Sequence, residues 1–222
     1  GTLAHRGANT HNERRAAEYI ESRLREHTAD VELDDFESIE NPLTFLASCY
    51  ADYTLVMLVS LWVAPAALAY ALIVFVLYLG EISGYAGLSR LLPRFETQNV
   101  VGRFYSVNPK RTAVIAAHYD SGLATPLHFP ETQGKVRTAH VVLMCCMMTV
   151  ILSCLAMSLG TFENAQWRPD LVIGWSAAAV LLLGACVLFY WSATMEPAPG
   201  ANDNASGVAA LLRLAEALEG NP

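Results

Sequence analysis

The chain is short of charge. Charged residues make up 16% of its 222 positions, against roughly 25% in an ordinary globular domain. The shortage is local: residues 43–80, 139–160 and 171–193 hold one acidic residue in all, Asp52. A basic excess is missing too. Fourteen Lys and Arg stand against 21 Asp and Glu, a net charge of −7, which leaves no footprint for nucleic acid. Cysteine is absent from the polar parts. All five (Cys49, Cys145, Cys146, Cys154, Cys186) fall in apolar runs, so no disulfide framework can be read and the redox compartment stays open. Cys145-Cys146-Met147-Met148 has no charged partner and reads as lipid-facing or helix-packing side chains. No signal peptide with basic and small-residue flanks is visible at the start, and no repeat is evident. Gly1 in place of Met, and a stop at Gly220-Asn221-Pro222 just after a helix, read as cut ends of a longer protein.

What is present divides into polar and apolar stretches. Thr10-His11-Asn12-Glu13 fits a capping box. Ala16, Ala17, Tyr19, Ile20 and Leu24 follow at helical spacing, predicting an amphipathic helix over 11–27. Residues 31–36 partly alternate and predict an edge-like strand. Residues 99–104 and 112–117 predict two more, joined by a turn at 106–110. The run 112–117 is apolar on both faces, as in the central strand of a helix-covered sheet. Residues 206–219 predict a second amphipathic helix, with Val208, Leu211, Leu212, Ala215 and Leu218 on one side. This order of elements predicts an α/β domain.

The apolar stretches interrupt that domain twice. A spanning helix needs about 20 apolar residues at 1.5 Å rise to cross roughly 30 Å of hydrocarbon. Residues 139–160 and 171–193 each meet this, with a polar tip at 161–170. Residues 43–80 are too long for one span and carry Pro65, which suggests a hairpin of about 43–62 and 66–80. If the polar parts form one domain on one side of a membrane, each insertion must cross an even number of times, and two transmembrane hairpins satisfy that. Trp62, Trp167, Trp175, Tyr190 and Trp191 lie near the proposed ends, where aromatic belts form. Buried core helices of a soluble protein are the alternative. The expected organisation is an incomplete α/β domain from 1–42, 94–138 and 194–222. A hairpin with an interfacial segment at 43–93 and a second hairpin at 139–193 complete it. Arg90, Arg94, Lys135 and Arg137 flank the domain-side ends against Arg168 at a tip; the side of the membrane is left open.

Two motifs carry chemistry. Ala117-His118-Tyr119-Asp120-Ser121 ends the apolar run 112–117, and side chains two apart on a strand point the same way. His118 can then bind a metal while Asp120 accepts its other ring N–H, which fixes the tautomer. The position beyond a strand's carboxyl end is where α/β sheets hold ligands. Gly200-Ala201-Asn202-Asp203-Asn204-Ala205-Ser206-Gly207 opens the last helix. Asp203 falls in a Gly/Asn-rich turn whose backbone N–H groups could hold a carboxylate still. The plainer alternative makes Asp203 or Asn204 an N-cap.

Together the motifs resemble the co-catalytic di-zinc aminopeptidase family, which includes bacterial leucyl aminopeptidase, glutamate carboxypeptidase and glutaminyl cyclase. The opening helix Asn12-Glu13-Arg14-Arg15-Ala16-Ala17-Glu18-Tyr19-Ile20 and Asn99-Val100-Val101-Gly102 look similar as well. The resemblance implies that His118 binds one zinc, that Asp120 orients it as part of the catalytic apparatus, and that Asp203 bridges two zinc ions. It also implies a Glu-Glu pair, a further acidic ligand and a second histidine. No Glu-Glu pair occurs, and His5, His11, His27, His128 and His140 lack a matching context, so these elements are expected beyond Pro222. The fold implied is a zinc-exopeptidase α/β domain interrupted by the hairpins. The function implied is a membrane-bound zinc metallopeptidase of aminopeptidase type, with peptide substrate, membrane lipid, no nucleic acid, and room for a homo-oligomer. A non-catalytic membrane receptor or scaffold, or a glutaminyl-cyclase-like aminoacyltransferase, is the alternative on the same scaffold.

Overall fold

A computed structural model describes residues 3–85 and 87–219. The chain is mostly helical with one two-stranded sheet. It divides into two units, each assembled from separate stretches. Gly1–Glu40, Pro93–Ala124 and Glu196–Pro222 form the first, Asn41–Leu92 and Thr125–Met195 the second.

In the first unit, helix α1 spans His11–Arg25. Thr10 caps it, its hydroxyl accepting from the Glu13 amide at 3.3 Å. The Glu13 carboxylate reaches back one residue further than a standard capping box, to the Asn9 amide at 2.5 Å. Its other oxygen accepts from the Thr97 hydroxyl at 2.7 Å, which ties the helix start to the sheet. The helix closes at Arg25 because the His27 and Thr28 amides turn back onto the Leu24 carbonyl, each at 3.0 Å.

Strands β1 (Val31–Ile39) and β2 (Arg94–Gly102) pair antiparallel without a break, Val31 opposite Gly102 and Ile39 opposite Arg94. The ladder outruns the alternating residues 31–36, because backbone pairing continues where side-chain alternation stops. Helix α6 (Ser206–Leu218) adds its apolar side to a core of Ile20, Leu24, Val31 and Ala215. Val100, Phe104, Tyr119, Val208, Leu211 and Leu212 pack around it.

The expected central strand at 112–117 does not form. These residues have no regular structure, and Val114 is 88% exposed. A strand apolar on both faces needs a paired neighbour and a covering layer on each side. Among the described residues the only sheet is β1–β2. The fold is therefore α/β in content but not a parallel, helix-covered sheet. The segment is tied down beyond the run, by isolated bridges of Ser121 to Gly7 and Leu123 to Pro197 and by hydrogen bonds at Tyr119.

The second unit is four helices: α2 (Pro42–Ser60), α3 (Ala64–Ile82), α4 (Pro130–Ser158) and α5 (Pro169–Thr194). A proline stands in the first turn of each, where its missing N–H costs nothing. Asn41 caps α2 through its side-chain oxygen, which accepts from the Leu43 and Thr44 amides at 3.1 and 3.3 Å. Contacts run α2–α3, α3–α4, α4–α5 and α5–α2, closing a ring. The break within 43–80 falls at residues 61–63, close to the expected split. Helix α4 begins at Pro130 rather than near 139, so residues 130–138 are helical and belong to this unit.

All four helices are long and apolar enough to cross a membrane. The 19 residues of α3 rise about 28 Å at 1.5 Å each. The interior mixes alanines and tyrosines, among them Ala47, Tyr50, Tyr53, Ala67, Ala71, Tyr78, Ala177 and Ala185, with larger apolar side chains such as Phe45, Val56, Met57, Met147, Val150 and Leu181. A Cβ on Gly174 would come within 2.8 Å of Met57, so α5 lies close against α2. Leu55, Ile73, Val76, Leu152, Val172, Val180 and Leu183 face outward.

Candidate metal centre

The placement of His118 begins with its neighbour Tyr119. Its ring packs against the core of the first unit. Its hydroxyl donates to the Gln98 carbonyl of β2 and accepts from Gln98 Nε2, the latter at 2.8 Å. Burial pushes its pKa up to about 12, so the phenol stays a donor at neutral pH. With Tyr119 turned inward, extended backbone turns its neighbours outward. His118 Nδ1 and Asp120 Oδ1 lie 3.1 Å apart on that side. The alternation expected of a strand survives although the strand does not.

The second motif arrives from a tight entry. Gly200 has φ +66°, left-handed backbone that glycine adopts without a Cβ clash. A Cβ there would meet Arg6 Nη2 and Ser121 Cβ, both at 2.7 Å. Residues Ala201–Ala205 form a wide turn in which Asp203 and Asn204 leave helical geometry, and the peptide between them is cis. Asn204 Oδ1 turns to the first turn of α6, where it accepts from the Gly207 amide at 3.2 Å. Asp203 is thereby left to reach outward. Its Oδ1 lies 3.0 Å from His118 Nε2, and Oδ2 has no partner among the described residues. The expected cradle of turn amides does not hold this carboxylate; the imidazole meets it. The Asp203 side chain is 81% exposed, open to a ligand from solvent.

His118 thus stands between two carboxylates, one on each ring nitrogen. Asp120 at Nδ1 favours a ring that presents Nε2 towards Asp203. Zinc bonds of about 2.0–2.2 Å to nitrogen and oxygen put two tetrahedral ligands some 3.3–3.5 Å apart. The 3.0 Å between Nε2 and Oδ1 needs to open by only a few tenths of an ångström to admit an ion. The donor types fit zinc. The set is incomplete: a zinc site takes at least three protein ligands, and no group of three or more metal-capable side chains exists among the described residues.

Three of the other histidines have partners elsewhere. His5 Nδ1 accepts from the Gly7 amide at 3.2 Å and its Nε2 meets Asn12 at 3.3 Å. His27 pairs with Glu219 at 2.7 Å, and His140 lies in α4 beside Tyr78 at 3.3 Å. His11 is exposed; the side chain of His128 lies outside the described residues. Two clefts of about 240 and 180 Å³ open along Arg14, Glu96 and Gln98, away from His118, whose surroundings are open surface.

Sequence reasoning passed over Arg6 and Ser121. Arg6 Nε donates to the Tyr119 carbonyl at 2.7 Å, while Nη1 and Nη2 donate to the carbonyls of Pro199 and Gly200 at 3.1 and 2.7 Å. Ser121 Oγ accepts from the Arg6 amide at 3.0 Å. The only local signal was an arginine beside a glycine ahead of the capping box.

A scan against protein-family models matches residues 189–222 to Peptidase family M28. The matched stretch takes in the Gly200–Gly207 turn and α6. It supports a metallopeptidase of a generally zinc-dependent family at that coarse level. Neither a search of curated proteins nor one of solved structures returns a match.

Proposed function

We propose that this chain carries part of the catalytic unit of a membrane-bound, aminopeptidase-type zinc metallopeptidase. His118 and Asp203 would be metal ligands and Asp120 the residue that orients His118. The observation that carries the reading is the meeting of two motifs 85 residues apart, His118 Nε2 on Asp203 Oδ1 at 3.0 Å with Asp120 behind the ring. The M28 match lies on the second of them.

In this reading Asp120 holds the Nδ1 proton of His118, so that Nε2 offers its lone pair outward. His118 and Asp203 would be among the residues that hold the metal, and the Asp203 carboxylate, with two oxygens, would be able to serve two ions. Zinc in such a site lowers the pKa of a bound water towards neutrality and polarises the peptide carbonyl. The open surface around Asp203 admits a peptide terminus. The general base and the remaining ligands would come from residues outside this chain. Helices α2–α5 would hold the unit at a membrane, since their outward faces are aliphatic and nearly uncharged.

The test uses the full-length protein. His118→Ala removes a direct ligand and should lower bound zinc, counted by mass spectrometry, and abolish release of N-terminal residues from peptides. Acetylating the peptide amine should block the native enzyme. Native zinc content and turnover in H118A would sink the assignment.

A further inference from the structure

The geometry points to Arg6 as a positioning residue that clamps the two metal-binding motifs into register. Three segments far apart in sequence converge on it. Its guanidinium spreads across the carbonyl of Tyr119, which sits between His118 and Asp120, and the successive carbonyls of Pro199 and Gly200, which open the Asp203 turn. The backbone repeats the tie: Arg6 N donates to Ser121 Oγ at 3.0 Å and Ser121 N donates to the Arg6 carbonyl at 2.8 Å. All of these partners belong to one unit.

The local sequence is shaped around this fork. Gly7 is buried, and a Cβ on it would strike Pro197 at 2.4 Å, so only glycine lets residue 7 pass beneath the chain leading to Gly200. Gly200 itself has no room for a Cβ against Arg6 Nη2. Neither motif belongs to a sheet or helix at its functional residues. The segment 112–120 is irregular and Ala201–Ala205 is a turn, so regular hydrogen-bond ladders hold neither side chain in place. Arg6 supplies what the ladders do not, three charge-assisted hydrogen bonds in fixed directions from one plane. Lysine cannot replace it: one ammonium nitrogen cannot lie between acceptors that the planar fork reaches with three different atoms. Its effect on the ion would be indirect, through the spacing of His118 Nε2 and Asp203 Oδ1. Loss of such a support typically costs 10–100-fold in metal affinity.

This inference rests on the metal-site reading, and the experiment separates the two. Full-length protein is compared with Arg6→Ala and Arg6→Lys by cobalt titration, followed through the visible absorbance of Co²⁺, and by amide hydrogen exchange. Both variants should bind Co²⁺ 10–100-fold more weakly. Amides of 119–122 and 201–205 should exchange faster while those of α1 and β2 keep their native rates. Free guanidinium at millimolar concentration should restore tight binding to R6A and leave R6K unchanged. If native protein binds no Co²⁺, the metal reading fails, and the exchange rates still judge the clamp. Native exchange in both loops of R6A and R6K would overturn it. Should R6A fail to fold, R6K keeps the charge and most of the bulk and carries the same comparison.

Discussion

The two units of this chain differ most in the surface that surrounds their cores. In the first, Ile20, Leu24 and Val31 are buried under a surface rich in charge, with pairs such as Arg25–Glu21 at 2.7 Å and Arg103–Glu32 at 2.7 Å. Water drives such a core together. In the second, alanines and tyrosines share the interior with Val56, Met57, Val150 and Leu181, while Leu55, Ile73, Val76, Leu152 and Leu183 point outward. There, the close approach of α5 to Met57 at Gly174 and interior hydrogen bonds such as Tyr53 to the Ala71 carbonyl, 3.2 Å, join the helices. His118, Asp120 and Asp203 lie in the first kind of unit. Its motifs are irregular backbone whose polar groups need water or an arginine, and neither is at hand in a sheath of leucine and valine.

Cutting Leu24 to alanine should bring the largest effect. The side chain is 3% exposed in the small core of the first unit, and such truncations cost about 2–5 kcal/mol. Urea unfolding followed by hydrogen exchange should show the loss at α1, β2 and α6. The same truncation at outward Leu183, 67% exposed, should cost far less. Equal losses at the two sites would erase the contrast.

A charge on the outer face of the second unit should come next. Val76 is 65% exposed on α3. If that face meets lipid, Val76→Arg carries a penalty of about 2.5–3.5 kcal/mol near a bilayer centre, and membrane insertion measured by glycosylation mapping should fall. If it meets water, the variant should insert no worse and dissolve better. The latter result would remove the membrane from the proposal and leave the metal centre untouched.

How much of this was legible follows from the kind of signal each element leaves. The capping box at Thr10, the apolar spacing of α1 and α6, and the long uncharged runs of α2–α5 are local patterns, and the helices form where those patterns lie. The start of α4 was hidden because Glu131, Thr132, Gly134, Lys135 and Arg137 are not apolar, although the proline at 130 is a helix-starting signal. The run 112–117 misled for the opposite reason. Burial of a strand depends on neighbours, and hydropathy alone cannot report whether a neighbour exists. His118, Asp120 and Asp203 stood out in the sequence as short polar motifs beside apolar runs. That His118 touches Asp203 and that Arg6 joins their backbones were not, because an arginine capturing main-chain carbonyls leaves no spacing or periodicity behind.

Within the first unit the comparison sharpens at Asp120. Asp120→Asn keeps the size of the side chain but loses the charge facing His118 Nδ1. Full-length D120N should fold as native and keep most metal, with affinity or rate lowered about 10–100-fold. The nitrogen-15 shifts of the His118 ring should report a changed tautomer balance. An unchanged ring spectrum with native affinity would mean that Asp120 orients nothing.

The smallest effect is expected at Tyr119, and pH reveals it. Burial raises this phenol to about 12, above the value of about 10 of an unfolded chain. Between those limits the unfolded state has already lost its proton while the folded state retains it, so stability falls as pH rises. The contribution is whole below about pH 10 and gone once the folded group titrates near 12. At neutral pH, Tyr119→Phe keeps the ring in the core and removes the hydroxyl pair with Gln98, a cost of about 1 kcal/mol. The gap between native protein and Y119F should then narrow between pH 10 and 12, because the native protein alone has this phenol to lose. Melting temperatures across the alkaline range measure it directly. Other tyrosines, Tyr105 among them, titrate in both proteins and cancel in the difference. A gap that stays constant to the end of the range would show that Tyr119 is not held neutral by the core. The inward anchor that turns His118 and Asp120 towards Asp203 would then have to lie elsewhere in the segment.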